Sequence, residues 1–125
     1  MTKVSRIKVD SQHLGYFLNN FWTTLTLLEN KDQVANFLKD ILTHTEMKMI
    51  AKRIQIAKML LEGYSYQAIK NYVKVTDATI SKISNILETR GEGLKIAIEH
   101  LKNIEKETEK NRMRSNQDLK RKYGI

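Results

Sequence analysis

Apolar residues recur along this chain at the three- and four-residue spacing of amphipathic helices, and β-branched runs are scarce. Leu14, Phe17, Leu18, Phe21, Trp22, Leu25 and Leu28 line one face of a predicted first helix, from an N-cap at Ser11 to Glu29. Asn30-Lys31-Asp32 breaks the row. Asp32 is the expected cap of a short second helix carrying Val34, Phe37, Leu38, Ile41 and Leu42. Thr43 with Glu46 three residues later spells a capping box, flanked by Leu42 and Met47 as a hydrophobic staple. The third helix runs from there to Glu62. It is apolar almost all round at its end, which predicts a central, buried element. Gly63 supplies its left-handed stop. Ser65 caps a helix of about eight residues, Lys74-Val75 turns the chain, and Thr76 caps a helix to about Thr89. Gly91 and Gly93 bracket a break. Leu94, Ala97, Ile98, Leu101 and Ile104 then mark a last amphipathic helix that turns almost wholly charged after Glu105. The fold class expected is all-α with about six helices.

The 125 residues suit one domain with arms: a basic arm at 1–10, a helical domain at 11–111 and a basic tail at 112–125. With no Pro and 5 Gly, little interrupts long helices. The net charge of +8 favours a polyanionic partner, nucleic acid or an acidic membrane surface. The charge is uneven. Residues 43–90 carry eight Lys/Arg against four Asp/Glu, as do residues 101–125, whereas residues 11–42 carry two against three. Absence of Cys excludes disulfides, thiolate catalysis and Cys-based zinc sites, and fits a reducing cytoplasm. No apolar run reaches the length of a membrane span.

The segment Ser65–Ile83, SYQAIKNYVKVTDATISKI, carries the functional pattern. Ile69 and Val73 would close its first helix onto a core, Val75 would plug the turn, and Ile80 and Ile83 would hold the second helix down. That spacing suits the steep crossing of a helix-turn-helix over residues 65–87. Thr76, Asp77, Ala78, Thr79, Ser81 and Lys82 remain for the outer face, the small and polar set that a recognition helix presents to base edges. Ala78 and the Thr79 methyl can meet thymine methyls, and Thr and Ser hydroxyls can serve either base type. Lys70 and Lys82 can reach phosphate or guanine. Asp77 repels the backbone unless it accepts from a cytosine amino group.

Residues 42–87 resemble the Trp repressor superfamily, most of all its YerC/YecD-type branch. The resemblance rests on Leu42-Thr43 with Glu46, on Arg53, and on Ala57-Lys58 leading to Leu60-Leu61-Glu62-Gly63. It continues through Ser65, Ile69, Ala78-Thr79-Ile80-Ser81-Lys82 and Ser84-Asn85. It implies an intertwined all-α homodimer bound to double-stranded DNA, its two heads reading half-sites ~34 Å apart. By position, Tyr66, Gln67 and Lys70 would lie near the DNA backbone, and Asp77, Ala78 and Ser81 would face bases.

The departures bear on the ligand. The family's corepressor pocket uses a Thr, an Arg, a second Arg followed by Gly, and a Ser. Here Thr43 and Arg53 match the first two, while Lys82, Ile83 and Ile86 take the other places. Ile83 would fill the space of an indole and Ile86 offers no hydroxyl. The resemblance therefore implies that tryptophan is not the corepressor. Thr43 and Arg53 are vestigial positions, readable as a helix cap and a solvent-facing cation; no cofactor is expected and an effector is not identified. Lys74 stands where many helix-turn-helix turns carry Gly. A Lys at positive φ costs about 1 kcal/mol, so the turn is expected to differ locally.

His13, His44 and His100 lack metal-site spacing, and no phosphate loop, paired carboxylates or nucleophile motif is present, so no enzyme is expected. Residues 105–125 read either as a solvated helix end with a frayed tail or as an arm of Arg112, Arg114, Lys120, Arg121 and Lys122 on phosphate. The expected function is a transcriptional regulator, a repressor in the first instance. A non-regulatory DNA-binding accessory factor and a helical protein-interaction module are the rivals.

Overall fold

Helix caps set the order of elements. The computed structural model describes residues 7–123, with the side chains of Leu119 and Tyr123 left aside; most of the expected 1–10 arm lies outside the described residues. Every regular element among them is helical: α1 Ser11–Leu27, α2 Lys31–Ile41, α3 His44–Leu61, α4 Tyr66–Ile69, α5 Asp77–Thr89 and α6 Glu92–Tyr123. A π turn, Lys70–Lys74, prolongs α4. Among these residues no helix is long and apolar enough to cross a membrane, and no cluster of His, Asp and Glu could hold a metal ion. The chain divides into two compact units, one up to Ile50 and one from Ala51 onwards.

In the first unit the caps differ by a residue or two from expectation. Asp10, not Ser11, caps α1, accepting from the His13 amide at 2.9 Å. Asn30, not Asp32, caps α2, accepting from the Gln33 amide at 2.9 Å, while Asp32 sits in the first turn facing the positive end of the helix dipole. Gln33 reaches back to the Glu29 amide at 2.9 Å, which ends α1 at Leu27, short of Glu29. The capping box forms as expected: the Glu46 amide donates to Thr43 Oγ1 (3.1 Å) and the Thr43 amide to Glu46 Oε1 (2.9 Å). Val34, Phe37 and Leu38 of α2 are half-buried, as is Leu25 of α1, but no α1 side chain is fully buried, and Phe17 and Trp22 are 53% and 56% exposed.

The second unit holds the core. Ile56, Ala57 and Met59 of α3 pack with Ile69, Val73, Ile80, Ile83, Leu87 and Ile98, and Leu60, Val75, Ile86 and Leu94 close its margin. Each fully buried Ile is worth about 1.5–3 kcal/mol of transfer energy. Burial of α3 is only partial, since Ile54 and Leu61 remain about two-fifths exposed. Gly63, at φ +87°, ends α3 in a Schellman motif, with the Tyr64 amide donating to the Met59 carbonyl and the Gly63 amide to that of Leu60. Gly91 marks the α5–α6 corner, where a β-carbon would lie 2.7 Å from the Leu87 Cα. Gly93 lies inside α6, so the break has one glycine rather than two.

Beyond Ile98 the last helix leaves the core. From Arg112 on, where a frayed tail is one of the two expectations, the chain continues as helix to Tyr123. No Pro or Gly interrupts it there, and an Arg112–Glu109 ion pair one turn apart spans the junction. The 32 residues make α6 about 48 Å long.

Candidate nucleic-acid interface

Two caps and a buried row of isoleucines build this surface. The Ser65 hydroxyl accepts from the Ala68 amide at 3.1 Å and starts α4. The Thr76 hydroxyl accepts from the Thr79 amide at 3.3 Å and starts α5. Ile69 and Ile80 are fully buried and Ile83 is 4% exposed, so each helix is held from its inner side. Asp77, Ala78, Ser81 and Lys82 consequently stand on the outer side of the first two turns of α5, all exposed. Lys82 makes no ion pair among the described residues.

The other members of the set are more constrained. Thr79 is half-buried, and its hydroxyl lies 3.0 Å from that of Thr76, so the two hydroxyls engage each other across the cap. Lys70 Nζ lies 3.4 Å from Asp77 Oδ2, an exposed ion pair that ties α4's extension to the start of α5. It offsets the repulsion that Asp77 alone would present to a polyanion. Tyr66 is exposed, and Gln67 is exposed with its Nε2 donating to Asn71 Oδ1 at 3.0 Å. Thr43 is occupied by its capping box and Arg53 faces solvent.

The turn keeps the left-handed conformation that its Lys would be expected to resist: Lys74 has φ +62°. Lys52, on α3, donates from Nζ to the Lys74 carbonyl at 3.1 Å. Lys74 is the last residue of the π turn, and Lys52 gives its carbonyl a donor from outside the turn. No pattern in the sequence exposes this residue, because the contact spans 22 positions. A second feature outside the sequence pattern is Lys58, bridging Glu62 on its own helix (3.2 Å) and Glu105 on α6 (3.3 Å). The Glu62 hydrogen bond, ahead of that to Glu105, raises the Lys58 pKa above the usual lysine value against the opposing effect of burial.

Two short helices crossing at a tight turn, on a core supplied by a longer helix, define a small all-α helix-turn-helix protein. The chain belongs to the Trp repressor protein family, whose model matches residues 17–102. It is 27% identical over 94 residues to the uncharacterised protein YerC of Bacillus subtilis (strain 168), covering 75% of this chain and 90% of that one. A crystal structure of a protein from Staphylococcus aureus described as a candidate Trp repressor superposes with a TM-score of 0.68 at 25% identity. The match covers 76% of this chain and 96% of that one.

Proposed function

We propose that this protein is a homodimeric, sequence-specific DNA-binding regulator of transcription, acting as a repressor in the cytoplasm and belonging with the YerC-type branch of its family. The carrying observation is the outward face of α5, where Asp77, Ala78, Ser81 and Lys82 are exposed while Ile80, Ile83 and Leu87 anchor the helix from behind. A helix supported this way can enter a major groove, with Ala78 and Ser81 against base edges and Lys82 on phosphate or guanine. Tyr66, Gln67 and Lys70 would meet the flanking backbone.

The dimer accounts for the apolar row on α1. Leu14, Phe17, Leu18, Phe21 and Trp22 are each more than two-fifths exposed in the single chain, an arrangement a second copy would relieve. Two heads on a two-fold axis would read a symmetric operator with half-sites ~34 Å apart. Tryptophan is not the corepressor in this reading. Ile83 is a buried core residue where the family's pocket has Gly, and Ile86 packs on the same core. No catalysis is assigned.

Selection from random duplexes tests the reading: a symmetric motif is expected. Lys82→Ala should weaken binding and lower the salt slope by about 0.9 if it contacts one phosphate. Binding without any recovered motif would favour the accessory-factor alternative, and no duplex bound at low salt would refute DNA binding altogether.

A further inference from the structure

We propose that the C-terminal half of α6, from Lys110 to Arg121, is a second nucleic-acid contact: a sequence-independent arm on the phosphate backbone of the duplex that the helix-turn-helix reads. The proposal rests on the DNA-binding reading above and adds a site to it.

Two independent boundaries coincide at one residue. The family match ends at Lys102. Lys102 is also the last described side chain of α6 that is even half-buried; every described one after it is exposed. The helix nevertheless continues to Tyr123. The segment beyond Lys102 is therefore an addition to the family's helical body that contributes nothing to its core. Just past that boundary, Glu105 lies 3.3 Å from Lys58 in the final turn of α3. That is the end of α3 from which α4, the first helix of the reading head, begins after Gly63 and Ser65. The arm thus sets out from beside the reading head.

Its composition selects the partner. Residues 110–122 hold six Lys/Arg against Asp118, a net +5. A helix polar all round gains nothing from core packing, and crowded cations destabilise it. A polyanion removes that cost and releases counterions. A membrane surface would require an apolar stripe, but Met113 and Leu119 are six residues apart and out of register for a shared face. A protein partner would require a cluster of apolar or aromatic anchors; those two residues make no cluster, and no aromatic residue precedes Tyr123 in the arm. Phosphate contact needs only the cations, and Lys110, Arg114, Lys120 and Arg121 are exposed to supply it.

The test uses the full chain with Lys110→Gln, Arg114→Gln, Lys120→Gln and Arg121→Gln combined, beside a charge-keeping version with Lys110→Arg, Arg114→Lys, Lys120→Arg and Arg121→Lys. Affinity is measured against salt on a duplex selected by the wild-type protein, on a scrambled duplex of equal length and on vesicles with anionic headgroups. The Gln variant should weaken on both duplexes by the same factor and keep the selected motif. Its salt slope should be shallower by about 0.9 for each phosphate no longer neutralised, up to about 3.6. The charge-keeping version should match wild type in slope, which separates loss of charge from loss of fold. Identical slopes for the Gln variant and wild type would overturn the arm, as would a loss confined to binding of anionic vesicles. A wild-type protein that retains no duplex from the random pool at low salt would overturn the helix-turn-helix reading itself.

Discussion

Lys74 holds a main-chain conformation in which a β-carbon crowds the following carbonyl, at a cost of about 1–2 kcal/mol. The observed compensation is the Lys52 ammonium on the Lys74 carbonyl. Lys74→Gly should therefore raise stability by up to about 1 kcal/mol, because the strain disappears and the backbone acceptor stays. Thermal denaturation at fixed protein concentration reads this, and a lower midpoint would show that the Lys is not strained. Individual residues are unevenly legible in the sequence. Ser65, Thr76 and Gly63 act locally, and their types announce their roles. Asp10 and Asn30 are harder to single out because a neighbour one or two residues on is equally able to cap. Lys52 is invisible because its partner is distant in sequence. Thr79 belongs to the reading face by its spacing, yet half of it turns inward toward the Thr76 cap.

Among the elements, α3 and α6 are joined by Lys58, which sits between Glu62 and Glu105. Those two carboxylates raise its pKa in the folded protein, the Glu62 hydrogen bond contributing most. Folding stability from this lysine is consequently full below the unfolded lysine pKa of about 10.4 and is lost as pH rises through the folded value. Lys58→Met should cost about 1 kcal/mol at neutral pH, since Glu105 is half exposed and the pair is screened. It should also flatten the alkaline end of the stability profile, which urea denaturation across that range would reveal. The helices themselves are legible because their apolar periodicity is strong. The π turn is not, since one widened turn leaves the spacing of Ile69 and Val73 unchanged. Nor is the helical state of residues 112–123, where a polar sequence without Pro or Gly is compatible with helix or coil.

At the scale of the whole molecule, the exposed apolar face of α1 is where the proposed dimer can be tested. The single tryptophan, Trp22, is 56% exposed in the isolated chain and lies on that face. If α1 is covered by a second copy, Trp22 fluorescence should shift to the blue as protein concentration rises, in step with the mass measured by sedimentation. An emission maximum independent of concentration, in a species sedimenting as a monomer, would contradict the dimer. The all-α class and the helix-turn-helix follow from periodicity and caps, with Ile69, Val73, Ile80 and Ile83 buried as their spacing requires. The partial exposure of α3 is less legible. Its wide apolar surface signals burial without saying whether the same chain or another copy covers it.

At the corner after α5, the clearance is smaller than a methyl group: anything bulkier than hydrogen on Gly91 would press on the Leu87 main chain. Leu87 is itself a core residue on the helix that carries Ser81 and Lys82. A survey of inactivating substitutions should accordingly collect hits at Gly91, a position remote from the outward face of α5, because steric pressure there travels along a rigid rod to its other end.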